Sequence, residues 1–247
     1  LAAAYSLREM GGRGLGQAFA GSSAIAEDAT TLSFNTAGMV YLEGEQFVLS
    51  PLLVSSNLQF HDHDTTSTAS LGSHLSSNAG GVSLVPAFYT VRDWQDWKFG
   101  LAITTPFGLK TDYNPAWIGR YAAIKSEIKT LDISPSIAFK SSQKMAIGLG
   151  LNLQYMEVEL TNAVNVGTGD GLSKLRGDDW SMSFNGGIIY QWQPATRIGL
   201  SYRHEVRHEL EGDSEISGTG VIDGKTPITS DLDLPSFFSL SVVHDYS

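Results

Sequence analysis

The chain has 247 residues, a formal net charge of −10 and no cysteine. The acidic balance excludes a nucleic-acid partner, because phosphate binding needs a basic protein face. The absence of cysteine excludes a disulfide framework and a thiolate metal site, and no apolar run reaches the ~18–20 residues of a membrane-spanning helix. Transmembrane β-strands remain compatible with the sequence, since they show only an alternation of apolar and polar residues.

Residues 1–44 are rich in small side chains and show little strand-like alternation. The segment GGRGLGQAFAG (11–21) resembles a phosphate-binding glycine loop. However, no apolar β-branched strand precedes it, and no lysine and hydroxyl pair closes it. We therefore reject a nucleotide site and interpret 1–44 as a compact, irregular lead-in.

About eight segments with strand character follow, and 178–192 is the clearest. One of its faces carries Trp180, Phe184 and Trp192, whereas the other is mostly polar or small. Twelve residues at ~3.3 Å, tilted by ~40°, project to about 30 Å, close to the apolar band of a bilayer with its aromatic girdles. In chain order the segments are 47–60, 81–94, 97–107, 128–140, 144–155, 178–192, 196–212 and 234–246.

The links between these segments alternate in length. Short turns are predicted near 95–97, 141–144 and 193–195, and long polar loops near 61–80, 108–126, 161–178 and 212–233. Short turns at one end and long loops at the other are typical of outer-membrane barrels. The pattern favours an all-β, transmembrane antiparallel barrel over a soluble β-sandwich, with barrel strands and long extracellular loops in 45–247.

The N-terminal segment resembles the opening signature of a known family. GLGQAFAGSSAIAEDATTLSFNTAGMVYL (14–42) is similar to that of the outer-membrane long-chain fatty acid transporters (the OMPP1/FadL/TodX family), which also include aromatic-hydrocarbon channels. Further similar stretches are NPAWIGRY (114–121), SPSIAFK (134–140), ATRIGLSYRHEVRHELEGD (195–213) and DLDLPSFFSLSV (231–242). The resemblance covers essentially the whole chain and implies that 1–44 forms a hatch, or plug, inside the barrel.

The chain departs from the family pattern in two respects. The family's asparagine–proline–alanine motif is here Asn35-Thr36-Ala37, and the loss of proline frees one φ angle, so a looser hatch is expected. The family forms fourteen-stranded barrels, whereas this chain supplies about eight strands and ends without a terminal aromatic residue. An eight-stranded barrel is filled by its own side chains and has no room for a plug. We therefore expect the N-terminal part of a longer barrel, with the C-terminal strands missing.

The resemblance implies passive uptake of hydrophobic molecules across the outer membrane of a Gram-negative bacterium. The expected ligands are long-chain fatty acids, with alkanes or aromatics as alternatives. Capture by extracellular loops, gating by the hatch and lateral release into the bilayer are the implied steps. The implied protein is a multi-pass monomer in contact with outer-membrane lipid and lipopolysaccharide, and it needs no cofactor.

Two groups of apolar residues are candidates for ligand binding. The first lies at the start of the hatch and comprises Tyr5, Leu7 and Met10. The second lies in the long 108–126 segment and its flank, where exposed large apolar groups favour a binding groove. Its members are Phe107, Leu109, Trp117, Ile118 and Tyr121. Buried anchoring and packing between loops are the respective alternatives.

Four cationic residues are candidates for contact with a ligand carboxylate. Lys110 and Arg120 flank the apolar loop cluster, and Arg203 and Arg207 are expected to face the lumen. Pairing with neighbouring carboxylates is the alternative role for each.

Gly80, Gly81 and Pro86 make the strand over 81–94 the expected place of a lateral opening, because both residue types disrupt a β-ladder. A simple bend is the alternative.

Other chemistry finds little support. The cluster HDHD (61–64), with His74 nearby, lacks metal-ligand spacing, and GTGDG (167–171) lacks the ligand ladder of a calcium loop. No nucleophile-elbow motif is present, so an enzyme is not expected. Two alternatives to the channel stay open: a soluble β-sandwich binding module, and an outer-membrane barrel enzyme or adhesin.

Overall fold

The structure is a computed structural model that describes residues 6–7, 9–62, 76–167 and 169–246. Short helices occupy the N-terminal part. They are α1 (Gly12–Gly16), α2 (Ser22–Ile25) and two 3₁₀ helices, η1 (Ala29–Ser33) and η2 (Thr36–Tyr41). Among the described residues, no helix is long and apolar enough to cross a membrane.

Strands account for most of the remaining chain. The first eight are β1 (Gln46–Leu49), β2 (Leu52–Ser55), β3 (Gln59–His61), β4 (Ser76–Asn78), β5 (Val82–Val85), β6 (Phe88–Trp94), β7 (Trp97–Thr104) and β8 (Gly108–Asp112). The others are β9 (Lys125–Ser142), β10 (Met145–Asn165), β11 (Asp170–Gln193), β12 (Thr196–Arg203), β13 (Val206–Ser217), β14 (Gly224–Leu234) and β15 (Phe237–His244).

One antiparallel sheet forms the wall of the molecule. Its main path has eight strands in the order β1-β6-β7-β9-β10-β11-β12-β15, which confirms the count expected from alternation. β8 extends the wall beside β9, and the hairpin β13–β14 extends it beside β11. Separate two-stranded pairings join β2 to β5 and β3 to β4.

The strands are longer than the apolar pattern indicates. β10 and β11 stay paired from Met145↔Tyr190 to Asn165↔Asp170, and β13–β14 pair from Val206↔Leu234 to Ile216↔Gly224. The long loops expected near 161–178 and 212–233 are therefore short connections at the ends of extended hairpins. Polar strand extensions escaped the prediction because they lack the apolar period on which it relied.

The two faces of the wall differ as the alternation predicted. Exposed apolar side chains on β10 and β11 include Leu149, Leu151 and Trp180, whereas Asn152 and Gln154 on the opposite face of β10 are fully buried. Eleven of the described strands form one antiparallel sheet with an apolar outer face, so the soluble β-sandwich alternative finds no support.

The core lies between the N-terminal segment and the inner face of the wall. Leu32 and Met39, from η1 and η2, pack with Tyr89, Val91 and Ala102 of β6 and β7. Burial of these side chains stabilises the position of the N-terminal segment, at ~25 cal/mol per Å² of apolar surface removed from water.

The wall is interrupted beyond the end of the pairing between β6 and β7, the second and third strands of its main path. β6 and β7 pair from Trp94↔Trp97 up to Phe88↔Ile103. Beyond that point β5 pairs with β2 and β8 pairs with β9, and no ladder joins β5 to β8 in the described part of the chain. The next contact is a hydrogen bond from Asp112 N to Ala79 O, 3.2 Å long. The interval between these two contacts, which we call the wall gap, runs over 79–87 on one side and 104–112 on the other.

Candidate functional site

A cavity of about 150 Å³ lies between the N-terminal segment and the inner face of the wall. Its apolar lining includes Leu7, Met10, Leu32, Phe34, Pro106, Phe107 and Phe237. Its polar lining includes Ser23, Asn35, Thr36, Asn185, Ser201 and Arg203. An apolar ligand with one polar end is therefore chemically suited to the cavity.

The N-terminus is hydrogen-bonded to the edge of the wall gap. Leu7 N donates to Pro106 O at 2.8 Å, and Ser6 forms a β-bridge with Phe107. β7 and β8 both pair with β9 and are separated by residues 105–107. The first described residues thus close the cavity at this break between β7 and β8.

Thr130 of β9 holds the backbone in place at the break between β7 and β8. Its Oγ1 accepts a hydrogen bond from Phe107 N at 3.0 Å and donates one to Phe107 O at 2.7 Å. The side chain therefore satisfies both backbone groups that an interrupted ladder would leave buried and unpaired. Phe107 itself is 3% exposed, so the break directs its ring into the protein.

Asn35 joins the N-terminal segment to the wall. Its Oδ1 accepts from Ala37 N and so caps η2. Its Nδ2 lies 2.7 Å from Ser23 O and 3.2 Å from each of Ile188 O and Leu200 O, on β11 and β12. One buried amide thus contacts the hatch and two wall strands.

Ser23 makes a second attachment to the wall. Its Oγ donates to Ser239 Oγ at 2.8 Å and lies 3.1 Å from Ser201 Oγ. Ser23 N donates to Ser241 Oγ at 3.4 Å. α2 is therefore held against β12 and β15 by hydroxyl groups.

Glycines of the wall make room for these contacts. A Cβ at Gly187 would overlap the side-chain oxygen of Asn35, and one at Gly199 would overlap the Ser23 carbonyl. A Cβ at Gly148 would overlap the backbone where Thr36 joins Ala37. The backbones of hatch and wall approach each other closely because these wall positions carry no side chain.

A buried ion pair borders the cavity. Arg203 Nη2 donates to Asp132 Oδ2 at 2.8 Å, and Ser134 Oγ donates to the same oxygen at 3.0 Å. Asp132 is fully buried, while the Arg203 side chain is 23% exposed. The cationic group that reaches the cavity is thus already neutralised by a wall carboxylate.

The segment 113–124 differs from the expected open groove. Trp117 and Ile118 are 6% and 7% exposed, and the Trp117 ring stacks on Tyr113 at 4.0 Å. The binding groove was predicted on the assumption that these two side chains are exposed, and that assumption is therefore wrong. Their role in ligand capture stays a prediction, as does that of the half-buried Leu109 and Tyr121.

Arg120 is engaged in an ion pair. Its Nε donates to Asp170 Oδ2 at 2.7 Å, and the Tyr121 hydroxyl donates to Asp170 Oδ1 at 2.7 Å. The Tyr121 and Arg120 hydrogen bonds hold the pKa of the Asp170 carboxyl below its ordinary value. The contribution of this pairing to stability is therefore present above the ordinary aspartate pKa and is lost as pH falls through the lowered value.

Of the other cationic candidates, Arg207 does not face the lumen. β12 ends at Arg203 and β13 begins at Val206, and the alternation changes phase across this break. His208 is consequently buried against Gln154, whereas Arg207 is exposed and pairs with Glu205. Lys110 is also on the outer face, 3.8 Å from Glu127.

The remaining sequence candidates are distributed as follows. Leu7, Met10, Phe107 and Arg203 line the cavity, and Pro86 lies on one side of the wall gap. Tyr5, His63, Asp64 and His74 lie outside the described residues. Sequence reasoning missed Ser23, Thr130 and Asn185, polar residues that no local pattern singles out from their neighbours.

Comparisons with known proteins agree with this architecture. The model of the family "Outer membrane protein transport protein (OMPP1/FadL/TodX)" matches residues 1–247. The chain is 25% identical over 240 residues to the long-chain fatty acid transport protein of Escherichia coli O6:H1, covering 87% of this chain and 53% of that protein. It is 25% identical over 287 residues to outer membrane protein P1 of Haemophilus influenzae Rd, covering 98% and 62%. The chain thus spans 53% to 62% of the length of these relatives.

Solved structures share the fold. A Pseudomonas aeruginosa FadL homologue superposes with a TM-score of 0.82 at 20% identity, over 98% of this chain and 66% of the other. The Ralstonia pickettii toluene transporter TbuX gives a TM-score of 0.69 at 19% identity, over 91% and 65%. With its antiparallel wall, its inner N-terminal segment and a family match over its whole length, the chain belongs to the OMPP1/FadL/TodX family of outer-membrane transport proteins of Gram-negative bacteria.

Proposed function

We propose that the chain mediates passive uptake of hydrophobic molecules, primarily long-chain fatty acids, across the outer membrane. The proposal assigns residues 1–44 to a hatch and 45–247 to barrel strands with extracellular loops. One observation carries it: the N-terminal segment closes a mostly apolar cavity and is hydrogen-bonded to the edge of the wall gap.

The wall gap supports lateral release as the last step of the proposed route. The backbone hydrogen bond from Leu7 N to Pro106 O, which forms the antiparallel β-bridge between Ser6 and Phe107, holds the N-terminus across the inner side of the break. Movement of the N-terminus would connect the cavity with the wall gap and hence with the bilayer. Pro86 and Pro106, which cannot donate to a ladder, keep the two sides apart. Gly80 and Gly81 lie at the far end of the same interval.

Mass action is the driving force for this route. Each methylene transferred from water to an apolar site gains ~0.8 kcal/mol, so neither a nucleotide nor an ion gradient is required. A cavity of about 150 Å³ encloses only part of a long acyl chain. The remainder of the ligand then lies toward the loops or the wall gap, as expected of a molecule in transit.

The ligand class is inferred from the cavity and from relatives. The Escherichia coli relative is named a long-chain fatty acid transport protein, and the Ralstonia neighbour a toluene transporter. The cavity lining includes Asn185 and Arg203, which are register partners on β11 and β12. These polar groups favour a ligand with an oxygen-bearing head group over a plain alkane or aromatic. Capture by the loop residues Leu109, Trp117, Ile118 and Tyr121 belongs to the same proposal, and the protein acts as a monomer without cofactor or catalysis.

Deletion of residues 1–12 tests the proposal. Loss of Leu7 and Met10 from the cavity, together with the hydrogen bond to Pro106 and the β-bridge to Phe107, should weaken retention of radiolabelled oleate by the purified protein. A Leu15→Ala variant, altered at an exposed site in α1, serves as the control. Retention and uptake unchanged by the deletion would contradict the gating role of the hatch.

A further inference from the structure

The cavity between the N-terminal segment and the wall has one charged residue, Arg203, among its described lining residues. The polar residues that line it otherwise are neutral, and they include Ser23, Thr104, Asn185 and Ser201. The charge that a ligand meets in this cavity is therefore set by Arg203 and by the groups that compensate it.

A fully buried carboxylate compensates Arg203. Asp132 Oδ2 accepts hydrogen bonds from Arg203 Nη2 at 2.8 Å and from Ser134 Oγ at 3.0 Å. The second carboxylate oxygen, Asp132 Oδ1, is buried and has no hydrogen-bond partner among the described residues. Salt and solvent screen a buried pair much less than an exposed one. The pair therefore presents the cavity with no net positive charge.

The neighbouring ionisable groups add no uncompensated cation. Gln154 is the register partner of Asp132 on β10, and its Oε1 lies 3.1 Å from His208 Nε2. His208 Nδ1 lies in turn 2.9 Å from Asp179 Oδ2. A charged His208 would be neutralised by Asp179, whereas a neutral His208 would leave that carboxylate negative. In either state, these two residues together with Asp132 and Arg203 carry no net positive charge.

The neutral lining groups can serve both functions of a hydroxyl group. Asn185 Nδ2 donates to Asn152 Oδ1 at 2.8 Å, and Asn185 Oδ1 receives no hydrogen bond from the described residues. An accepting oxygen suits an O–H donor and does not suit a carboxylate, which has only acceptor atoms. The hydroxyls of Ser23, Ser201 and Ser239 lie 2.8 to 3.1 Å apart, and each can donate or accept.

We propose that the cavity selects an uncharged, hydroxyl-bearing head group, so that it binds a long-chain alcohol or the protonated form of a fatty acid. A carboxylate would enter beside Asp132 without a free cation to meet it. Burying an unpaired charge costs far more than burying a hydrogen-bonded hydroxyl. The inference rests on the proposed uptake of hydrophobic molecules and names the head group that the same cavity accepts.

Retention of two labelled ligands of equal chain length tests the proposal. The purified full chain in detergent micelles is incubated with radiolabelled hexadecanol or radiolabelled palmitate at about pH 9, far above the ordinary pKa of a carboxyl group. Each value is corrected for partition of the ligand into protein-free micelles. Hexadecanol should be retained at least about tenfold better than palmitate, because only palmitate brings an uncompensated charge.

Variants of the ion pair separate the charge of the cavity from its packing. Asp132→Asn keeps the side-chain shape and an oxygen for Arg203, but it leaves the guanidinium charge uncompensated. The ratio of palmitate retention to hexadecanol retention should therefore rise about tenfold. Asp132→Asn/Arg203→Gln removes both charges and should restore the preference of the parent protein. Asp231→Asn, at an exposed carboxylate of β14, is the control for net charge.

Each outcome decides for or against the proposal. A preference for hexadecanol that Asp132→Asn reduces or reverses supports it. Palmitate retained as well as hexadecanol by the parent protein would overturn it and leave the proposed uptake intact. An equal change of the ratio in Asp132→Asn and Asp231→Asn would overturn it too, because net charge would then set the preference.

Retention of neither ligand above the level of protein-free micelles would contradict the proposed uptake itself, and the inference with it. If Asp132→Asn fails to fold, the comparison of the two ligands on the parent protein decides alone.

Discussion

Asn35 connects three parts of the molecule through one side chain. Its amide approaches carbonyls of α2, β11 and β12, and its carbonyl oxygen caps η2. Asn35→Ala should lower the free energy of unfolding by roughly 3 kcal/mol, since buried carbonyls are left without a donor. Denaturant unfolding in micelles measures this, with the exposed Asn57→Ala as control. Equal midpoints for the two variants would contradict the role given to Asn35.

Thr36 occupies the place where a proline is expected from the family pattern. The looser hatch inferred from its presence is not reflected in its packing, because Thr36 is 2% exposed. It is the first residue of η2 and follows an extended Asn35, and both features suit proline at this site. Its hydroxyl is buried without a hydrogen-bond partner among the described residues.

Thr36→Pro should therefore stabilise the protein. Proline fixes the φ angle of an unfolded residue, worth about 0.4–1 kcal/mol, and removes the unpaired hydroxyl. Thr36→Val, which also removes the hydroxyl but leaves φ free, separates the two effects. A lower melting temperature for Thr36→Pro than for the parent protein would show that the backbone here does not accept proline.

At the scale of elements, the wall glycines decide whether the hatch can approach. Gly187→Ala and Gly199→Ala should each destabilise the protein by about 1–3 kcal/mol, because a methyl group would overlap Asn35 or the Ser23 carbonyl. The control is Gly224→Ala, where nothing lies within 4 Å of the added carbon. Limited proteolysis of the N-terminal segment reports the displacement, and equal cleavage in all three variants would contradict it.

The elements also show what sequence patterns could predict. Period-two alternation identified the eight strands of the wall's main path, because one face meets an apolar environment throughout. It placed Arg207 on the wrong face, because the phase change at 204–205 is set by pairing with β11 and has no local signal. It missed the extended hairpins, whose cross-strand ion pairs, such as Arg176–Glu157, give no apolar period.

At the scale of the whole molecule, the N-terminal motif identified the family, and composition excluded other classes of protein. The cavity was only partly predictable. Leu7 and Met10 were inferred from the resemblance. Asn185 reaches the cavity through long-range strand register, and through the same register Thr130 and Asp132 contact the lining residues Phe107 and Arg203. A position of this kind depends on the whole sheet, so no short stretch of sequence encodes it.

The central claim is that ligand passes only when the N-terminus leaves the edge of the wall gap. Because the chain has no cysteine, Ser6→Cys/Phe107→Cys introduces one pair at bridged positions, where the backbone spacing of paired strands suits a disulfide. Glu211→Cys/Thr229→Cys, a paired position on the β13–β14 hairpin, is the control. Uptake of labelled oleate should stop when the first pair is oxidised, return on reduction and stay unchanged in the control. Undiminished uptake with the Ser6–Phe107 disulfide closed would contradict the proposed route.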